Sequence, residues 1–206
     1  MKGSPEVKVK NWMNKKVVTI SPEAGLKDAI EIMYHHSIRH LPVVENGKMI
    51  GFVTESNLRQ YLLTDIMSDL TMSDVMIINP ITIDPNASID SAARLIHEYK
   101  IGGLPVLEKR KLVGIITITD ILGAFIELLG LLEESTRLDV LIDEKIGSID
   151  DVLKLIRDMG SKIISVGVDA QSARRKVYYI RLKKSDINQI ITEIEKMGHK
   201  VLSFMD

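Results

Sequence analysis

Two threonines and an aspartate form the group with the clearest chemical potential in this sequence. Thr117, Thr119 and Asp120 follow a short apolar run and precede a helical one. An ionised carboxylate can accept hydrogen bonds from two neighbouring hydroxyl groups of a ligand, and threonine hydroxyls near the start of a helix can donate to a phosphate. The same spacing also fits a capping box, in which Asp120 serves only its own helix. The sequence leaves both interpretations open.

Arg39 and His40 form a second candidate group. A guanidinium group stays charged and binds phosphate oxygens in a fork, although an ordinary surface arginine is the alternative. His40 titrates near neutrality and could make binding depend on pH. His35 and His36 are adjacent in one predicted helix and do not share a face, so even with His40 they are a weak metal candidate. We expect no metal site.

Composition excludes several classes of protein. The chain has no cysteine, which rules out disulfides, thiolate catalysis and cysteine-based metal sites. It has no phosphate loop of the GxxxxGK type and no paired acid and base in a catalytic context. The formal net charge is -1, and no tract carries five or six like charges, which argues against nucleic-acid binding. We therefore expect a protein that is not an enzyme and requires no cofactor.

The N-terminus and the apolar segments indicate no targeting signal. The opening residues, MKGSPEVKVKNWM, lack the apolar stretch of a signal peptide. The most apolar segment, Ile121 to Leu132, is interrupted by Glu127 and is too short to span a bilayer. We expect a soluble, cytoplasmic chain that makes no membrane contact.

The sequence contains an internal repeat at an offset of 63 residues. Aligning positions 13–58 with positions 76–121 gives 14 identities in 46 positions without a gap. Most of the other positions exchange one apolar residue for another. Because a fixed period marks a repeated structural unit, we expect two copies of one fold.

Each copy contains two predicted helices. Apolar residues recur at helical spacing from Leu26 to Met33 in copy one and from Ile89 to Ile96 in copy two. Pro22 and Pro85 stand just ahead, where a missing N–H costs least. The second helix of each copy is predicted over about 56–67 and over 119–132.

Short apolar runs between these helices predict strands. In copy one, two runs flank Asn46-Gly47, the pair favoured in a two-residue hairpin turn, whereas copy two has Lys109-Arg110 there. With one strand ahead of the first helix, each copy is predicted to follow the order strand, helix, strand, strand, helix. Two such units could pair their sheets around one shared core.

The segments RHLPVVENGKMIGFVTESNL and GGLPVLEKRKLVGIITITDIL resemble the core of a CBS domain. The LPV strand, the glycine in the second apolar run and a TxxD-type ending recur in order in both copies, over roughly residues 8–124. Such a tandem pair resembles a Bateman module. The resemblance implies an α/β fold and a regulatory protein that binds an adenine nucleotide or nucleoside, such as AMP, ADP, ATP or a ligand like S-adenosylmethionine.

The resemblance also implies two ligand sites of unequal strength. In CBS pairs the carboxylate of the TxxD ending takes both ribose hydroxyls, which assigns that role to Asp120. The principal nucleotide site then comprises Thr19, Ile20, Ser21, Ile38, Arg39, His40, Thr117, Thr119 and Asp120. The weaker second site comprises Thr54, Ser56, Asn57, Thr82, Ile83, Asp84, Ile101 and Gly102. There Asn57 replaces the carboxylate, and Gly102-Gly103 replaces Arg39-His40.

Residues 137–206 carry a different pattern. Alternating and helical apolar spacings predict the order βαββαβ, from the strand around Val140 to the strand from Val201 to Phe204. This is the ferredoxin-like arrangement, and Gly147 at the first strand–helix turn makes it resemble an ACT domain, an amino-acid-sensing module. That family usually has Pro-Gly at this turn, whereas this chain has Ile146-Gly147. The resemblance implies that Gly147 marks a ligand turn.

The predicted organisation is CBS repeat 1 over 1–70, CBS repeat 2 over 71–124, a helical connection over 125–136 and an ACT-like domain over 137–206. This arrangement resembles the acetoin-utilisation protein B family. The resemblance implies a non-catalytic sensor linked to acetoin or central carbon metabolism and acting on an unknown client enzyme. We expect a homodimer, because CBS pairs usually associate face to face and the leucine-rich connection adds apolar surface. An adaptor protein whose ligand sites stay empty is the alternative.

Overall fold

The computed structural model describes residues 7–61, 69–169, 175–184 and 186–205. The chain divides into two compact units, Met1–Ala124 and Phe125–Asp206, which we call unit 1 and unit 2. Among the described residues, none of the helices combines the length and apolar character needed to cross a membrane.

Unit 1 repeats the order helix, helix, strand, strand, helix, and the second copy has one additional short strand. Copy one contains α1 (Val9–Trp12), α2 (Leu26–His35), β1 (His40–Glu45), β2 (Lys48–Thr54) and α3 (Glu55–Arg59). Copy two contains α4 (Met72–Val75), β3 (Ile77–Ile78), α5 (Ile89–Tyr99), β4 (Gly103–Glu108), β5 (Lys111–Thr117) and α6 (Ile118–Leu128). The predicted apolar stripes are the buried faces of α2 and α5, so these two helices are confirmed.

Each copy contains an antiparallel hairpin closed by a two-residue turn, β1 with β2 and β4 with β5. Asn46 and Gly47 have φ angles of 48° and 75°. Lys109 and Arg110 adopt φ angles of 48° and 68°, so copy two makes a left-handed turn without the favoured pair. Residues with long side chains adopt the left-handed backbone conformation at an energetic cost and are uncommon there. The pair Lys109-Arg110 is therefore a weak sequence indicator of a two-residue turn.

The predicted first strand of each copy is reduced to one bridging residue. Ile20 forms a single parallel bridge to Val43 in β1, and Ile83 forms the equivalent bridge to Val106 in β4. Pro22 and Pro85 follow two residues later and have no N–H with which to extend a ladder. The chain therefore leaves the sheet and enters α2 or α5.

The second helices differ from their predicted ranges. In copy one, α3 begins at Glu55 and ends at Arg59, while residues 62–67 of the predicted helix lie outside the described residues. In copy two, α6 ends at Leu128 rather than near Leu132. Gly130, with a φ angle of 63°, follows this end and turns the chain out of the helix.

The segment ahead of each copy docks on the other copy. The N–H of Val9 donates to the carbonyl oxygen of Ala87 at 2.9 Å, and the N–H of Met72 donates to that of Ala24 at 2.9 Å. Val9 and Met72 occupy equivalent positions in the repeat, and both are fully buried. Residues from α4 also enter the hydrophobic core of copy one. Each copy is thus completed by residues that precede the other.

Two glycines of the hairpins make room for this exchange. A Cβ atom at Gly114 would lie 2.5 Å from the sulfur atom of Met13, which arrives from the segment ahead of copy one. The equivalent Gly51 accommodates Met76 from the segment ahead of copy two. The glycine that recurs in the repeat is therefore explained by packing between the copies.

Unit 2 forms one four-stranded antiparallel sheet in the order β7-β8-β6-β9. Its elements are β6 (Ser135–Asp143), α7 (Ile149–Asp158), β7 (Ile163–Val168), β8 (Arg175–Lys183), α8 (Asn188–Lys196) and β9 (Lys200–Met205). Both helices pack their apolar stripes on one face of the sheet, around Val140 and Ile180. The predicted order βαββαβ is confirmed.

Candidate nucleotide site

Asp120 lies half-buried in the first turn of α6. Its Oδ2 atom accepts a hydrogen bond from the backbone N–H of Thr117 at 2.8 Å and another from the Thr117 hydroxyl at 2.7 Å. The capping arrangement is therefore present. The Oδ1 atom accepts no hydrogen bond from any residue that the structure describes. One oxygen of the carboxylate serves the helix while the other stays available.

Asn57 occupies the equivalent position in copy one. The Thr54 hydroxyl donates to Oδ1 of Asn57 at 2.6 Å, and the N–H of Asn57 donates to Thr54 Oγ1 at 3.2 Å. Thr54 Oγ1 thus caps α3, and Asn57 accepts from the Thr54 hydroxyl but, unlike Asp120, from no backbone N–H among the described residues. The two positions therefore differ in charge, in the hydrogen bond from the backbone N–H and in the free oxygen, because the second group of the amide is a donor.

A backbone hydrogen bond fixes each of these helices to the turn ahead of the LPV strand in its own copy. The N–H of Glu55 donates to the carbonyl oxygen of Arg39 at 3.0 Å, and the N–H of Ile118 donates to that of Gly102 at 3.1 Å. Arg39 therefore lies beside the start of α3, and Gly102 lies beside the start of the helix that carries Asp120.

His40 connects the two copies. Its Nε2 atom lies 2.8 Å from the position that a Cβ atom would take at Gly102, and its Cε1 atom lies 3.5 Å from the Cβ position of Gly103. The methyl group of Thr117 borders the same glycine, at 3.4 Å. The imidazole ring also stacks on Phe52, with centroids 5.9 Å apart. Residues assigned from sequence to two different sites, His40 and Gly102, are thus in contact.

The environment of His40 disfavours its charged form. Burial lowers the pKa of His40 below its ordinary value, and the neighbouring positive charge of Arg39 lowers it further. The ring is therefore mainly neutral at pH 7, so of these two neighbouring residues Arg39 carries the positive charge.

The remaining predicted residues lie along the two hairpins. Ile20 is buried, and its N–H donates to the carbonyl oxygen of Pro42 at 3.0 Å, whereas Thr19 and Ser21 on either side are exposed. The equivalent Ile83 is buried between half-buried Thr82 and exposed Asp84. Ile38 and Ile101 are half-buried, and Ser56 and Thr119 are exposed. Within the described ranges, no hydrogen bond or ion pair joins Arg39 or Thr19 to Asp120, so their assembly around one ligand stays a prediction.

Two equivalent grooves on the helical surface of unit 1 were not predicted from the sequence. Groove 1 lies between α2 and α3, and its lining includes Met33, Tyr34, Ile38, Arg39, Glu55 and Arg59. Groove 2 lies between α5 and α6, and its lining includes Ile96, His97, Lys100, Ile101, Gly102 and Ile118. Met33 and Ile96, Arg39 and Gly102, and Glu55 and Ile118 are equivalent pairs in the repeat. Comparing helix positions across the two copies would have found this surface.

A second candidate site lies at the β6–α7 turn of unit 2, where Gly147 was predicted as a ligand turn. His199 is only 4% exposed, and neither of its ring nitrogens has a hydrogen-bond partner among the described residues. Its Nε2 atom lies 3.2 Å from the Cβ position of Gly147. Oδ2 of Asp151 accepts from the N–H and hydroxyl of Ser148, which lowers the pKa of Asp151, and His199 contributes to the same shift.

Comparison with known families identifies unit 1. The family model described as the CBS domain matches twice, at residues 9–64 and 72–127. The chain belongs to the CBS domain family. The predicted tandem CBS pair is therefore confirmed, whereas the ACT identity of unit 2 stays a prediction.

The relatives of this CBS protein are matched through the CBS pair. L-aspartate semialdehyde sulfurtransferase of Methanocaldococcus jannaschii is 32% identical over 124 residues, which cover 59% of this chain and 24% of the relative. The chain thus spans about a quarter of the length of that enzyme. CBS domain-containing protein YhcV of Bacillus subtilis is 30% identical over 114 residues, covering 55% of this chain and 81% of the relative.

Solved structures of CBS proteins resemble the same region. The CBS domain pair of protein MJ0100, in complex with 5'-methylthioadenosine and S-adenosyl-L-methionine, is 31% identical with a TM-score of 0.55, covering 59% of this chain and 97% of that one. A Vibrio cholerae protein designated as an acetoin utilization protein, AcuB, is 32% identical with a TM-score of 0.56, covering 62% and 96%. CBSX2 in complex with AMP is 25% identical with a TM-score of 0.52, covering 58% and 96%.

Proposed function

We propose that this protein is a non-catalytic regulatory sensor whose CBS pair binds an adenine nucleotide or nucleoside. The observation that carries the proposal is the free Oδ1 atom of Asp120. A carboxylate with one oxygen engaged in the cap and the other available can serve its helix and still accept from ribose hydroxyls. Capping and ligand binding, which are alternatives in the sequence, are compatible in the geometry.

The chemistry around Asp120 favours a ligand with little phosphate. Arg39 is the cation that the family resemblance assigns to the principal site, since His40 is mainly neutral at pH 7. The complexes of related CBS pairs contain 5'-methylthioadenosine, S-adenosyl-L-methionine and AMP, all of which carry an adenosine group and at most one phosphate. We therefore expect adenosine-type ligands with at most one phosphate to bind more tightly than ATP.

Ligand binding is tested with the full-length protein. Mass spectrometry of the denatured, freshly purified protein identifies any co-purified adenosine compound, and calorimetric titration with AMP, ATP, 5'-methylthioadenosine and S-adenosylmethionine measures affinity. A ligand at 100 times its dissociation constant should stabilise the fold by about 2.7 kcal/mol. A protein that releases no adenosine compound and is stabilised by none of the four would instead be an adaptor with empty sites.

A sensor of this kind acts through other protein chains. We expect a homodimer, because the helical surface of unit 1 exposes large apolar side chains, including Ile118 and Leu122, which are 52% and 55% exposed. The client is an enzyme that the ligand regulates. A link to acetoin or central carbon metabolism is supported by the likeness to AcuB. Light scattering that gives a monomer mass at micromolar concentration would contradict the dimer.

Unit 2 is proposed to bind a small ligand of amino-acid type at the Gly147 turn, as an ACT-like domain. Support comes from His199, since a buried polar group without a partner requires an explanation, and a ligand that completes its hydrogen bonds provides one. The ionised carboxylate of Asp151, in the first turn of α7, lies beside it and favours the ammonium group of an amino acid. Thermal unfolding of the full chain with each of the common amino acids tests this site. The absence of any stabilising amino acid would contradict it.

A further inference from the structure

His40 connects the endings of the two hairpins in unit 1. Its backbone pairs with that of Thr54 at the end of β2, and the Thr54 hydroxyl donates to Asn57 in α3. Its ring lies against the backbone of copy two, with Nε2 2.8 Å from the Cβ position of Gly102. One residue is therefore linked to the start of α3 through its backbone and to copy two through its side chain.

Gly103 links the same ring to Asp120. It is the backbone partner of Thr117 in β5, and the hydroxyl and backbone N–H of Thr117 both donate to Asp120. The Thr117 methyl group lies 3.4 Å from the Cβ position of Gly103, and Cε1 of His40 lies 3.5 Å from it. The space that this glycine leaves is therefore flanked by one group from each copy.

We propose that His40 is a positioning residue that couples the two nucleotide sites, so that a ligand bound at Asp120 alters the start of α3 around Asn57. The inference rests on the proposed nucleotide site and adds the route by which copy one detects its occupancy. Coupling between two sites is reciprocal, so a ligand bound at Asn57 would change the affinity of the Asp120 site by the same factor.

The route begins with one rotation of Thr117. Its hydroxyl and its methyl group are carried by the same Cβ atom, and a β-branched side chain has few allowed rotamers. When ribose hydroxyls bind Asp120, the Thr117 hydroxyl follows the carboxylate, and the methyl group changes its position beside Gly103. The His40 ring packs on the same space, and densely packed interiors transmit such a displacement, here to the backbone that pairs with Thr54.

The repeat makes this route asymmetric. The residue of copy two that is equivalent to His40 is Gly103, which has no side chain and cannot make the reciprocal contact. The ring is also held from its own copy, because it stacks on Phe52 with centroids 5.9 Å apart. A substitution at His40 therefore removes this link while leaving the backbone hydrogen bonds at the starts of α3 and α6 in place.

Titration of the isotope-labelled, full-length protein with AMP and with 5'-methylthioadenosine tests the route by NMR. The amide signals of Thr117 and Asp120 report the ligand site, and the amide signal of Asn57 reports the start of α3. In the wild type, all three signals should move with the same dependence on ligand concentration. At saturating ligand, His40→Ala should lose most of the movement at Asn57, while the signal of Asp120 still moves.

Two further variants separate coupling from stability. His40→Gln, whose amide extends to the position of Nε2, should retain much of the movement at Asn57. Val75→Ala removes two methyl groups from the hydrophobic core of copy one at a residue outside the route, so it should lower stability and retain the movement. Loss of the movement in Val75→Ala as well would show that stability, rather than the ring, is responsible.

The remaining outcomes overturn the proposal in distinguishable ways. If the Asn57 signal moves in a separate, weaker transition, the ligand reaches Asn57 directly. If it moves equally in the wild type and in His40→Ala, the route does not pass through the ring. If the signals of Thr117 and Asp120 move with neither ligand, the proposed nucleotide site itself fails, and the coupling fails with it.

Discussion

The imidazole of His40 and the backbone of Gly102 are in direct contact, with Nε2 lying 2.8 Å from the Cβ position of Gly102. His40 precedes the LPV strand of copy one, and Gly102 precedes that of copy two. The imidazole ring of His40 in copy one therefore occupies the space that a side chain at Gly102 in copy two would take. This contact makes the junction between the copies asymmetric, although the fold on either side is repeated.

Replacing Gly102 with alanine should displace the His40 ring. Overpacking of this kind costs about 1 to 3 kcal/mol in the free energy of unfolding. Gly123→Ala is the control, because a Cβ atom there meets nothing within 4 Å and the position is helical, so this change should be neutral or stabilising. Urea denaturation of both variants and of the double variant Gly102→Ala/His40→Ala measures the coupling. If Gly102→Ala lowers the free energy of unfolding by the same amount in the wild-type and His40→Ala backgrounds, the clash with the His40 ring is not the cause.

The neutral state of His40 should make stability depend on pH. Because the pKa of His40 is lowered in the folded state from 6.5, the unfolded chain binds the proton more readily. The resulting stabilisation is fully present above pH 6.5 and is lost as the pH falls through the folded-state pKa. Urea denaturation at several pH values measures the free energy of unfolding at each pH. This free energy should change less with pH in His40→Asn than in the wild type. Equal pH dependence of the free energy of unfolding in the two proteins would contradict the prediction.

Residues ahead of copy one should be needed for the stability of copy two. Val9 is fully buried and is hydrogen-bonded to the backbone of copy two, and Asn14 forms an antiparallel backbone bridge with Ile115 in β5. Deleting residues 1–14 should therefore raise amide hydrogen exchange in β4 and β5 more than in β1 and β2, because each hairpin is completed by the segment that reaches it. Met72→Ala should show the converse pattern at a cost of about 2 to 5 kcal/mol. If the deletion raises hydrogen exchange only in copy one, which follows it in sequence, the reciprocal docking is contradicted.

The sequence predicts the elements of the repeat but not the exchange between its copies. Apolar stripes from Leu26 to Met33 and from Ile89 to Ile96 predict α2 and α5, because burial of one helical face leaves a periodic pattern. Val9 and Met72 belong to four-residue helices, which are too short to show a period. Nothing local indicates which copy receives them, since the contacts are distant in sequence.

The candidate sites were predictable to different degrees. Asp120 is visible in the sequence because its cap follows a fixed spacing, and the same spacing recurs at Asn57. His199 is a single histidine ahead of a strand, and only tertiary packing reveals that its nitrogens have no partner among the described residues. The contact between His40 and Gly102 joins the two copies, so the repeat pattern alone assigns these residues to separate sites.

Replacing His199 with leucine should leave unit 2 folded and remove its ligand response. A buried unpaired polar group costs about 1 to 3 kcal/mol, so an apolar side chain of similar volume should keep or raise the free energy of unfolding of the ligand-free protein. The thermal shift caused by a stabilising amino acid should disappear. Gly147→Ala, which brings a methyl group to 3.2 Å from Nε2, should weaken the shift as well. An unchanged amino-acid response in both variants would place the ligand elsewhere.

Exchanging the groups at Asp120 and Asn57 separates ligand binding from helix capping. Asp120→Ala would remove both the free oxygen and the cap, and losing a cap costs about 1 kcal/mol. Asp120→Asn should keep the hydrogen bond from the Thr117 hydroxyl to the side-chain oxygen, because Asn57 makes the equivalent bond with Thr54 at the start of α3. Its free energy of unfolding should thus stay close to that of the wild type. Since hydrogen bonds to charged groups contribute about 1.5 to 3 kcal/mol, adenosine affinity should fall about 10-fold to 100-fold.

The reverse change supplies the matched control. Asn57→Asp gives copy one a carboxylate at the equivalent position while keeping the capping geometry, so the second site should gain affinity for the ribose. Titration calorimetry should change from about one ligand per wild-type chain towards two in the Asn57→Asp protein. Two equal sites in the wild type, or a greater loss of affinity with Asn57→Ala than with Asp120→Asn, would assign the principal site to the other copy.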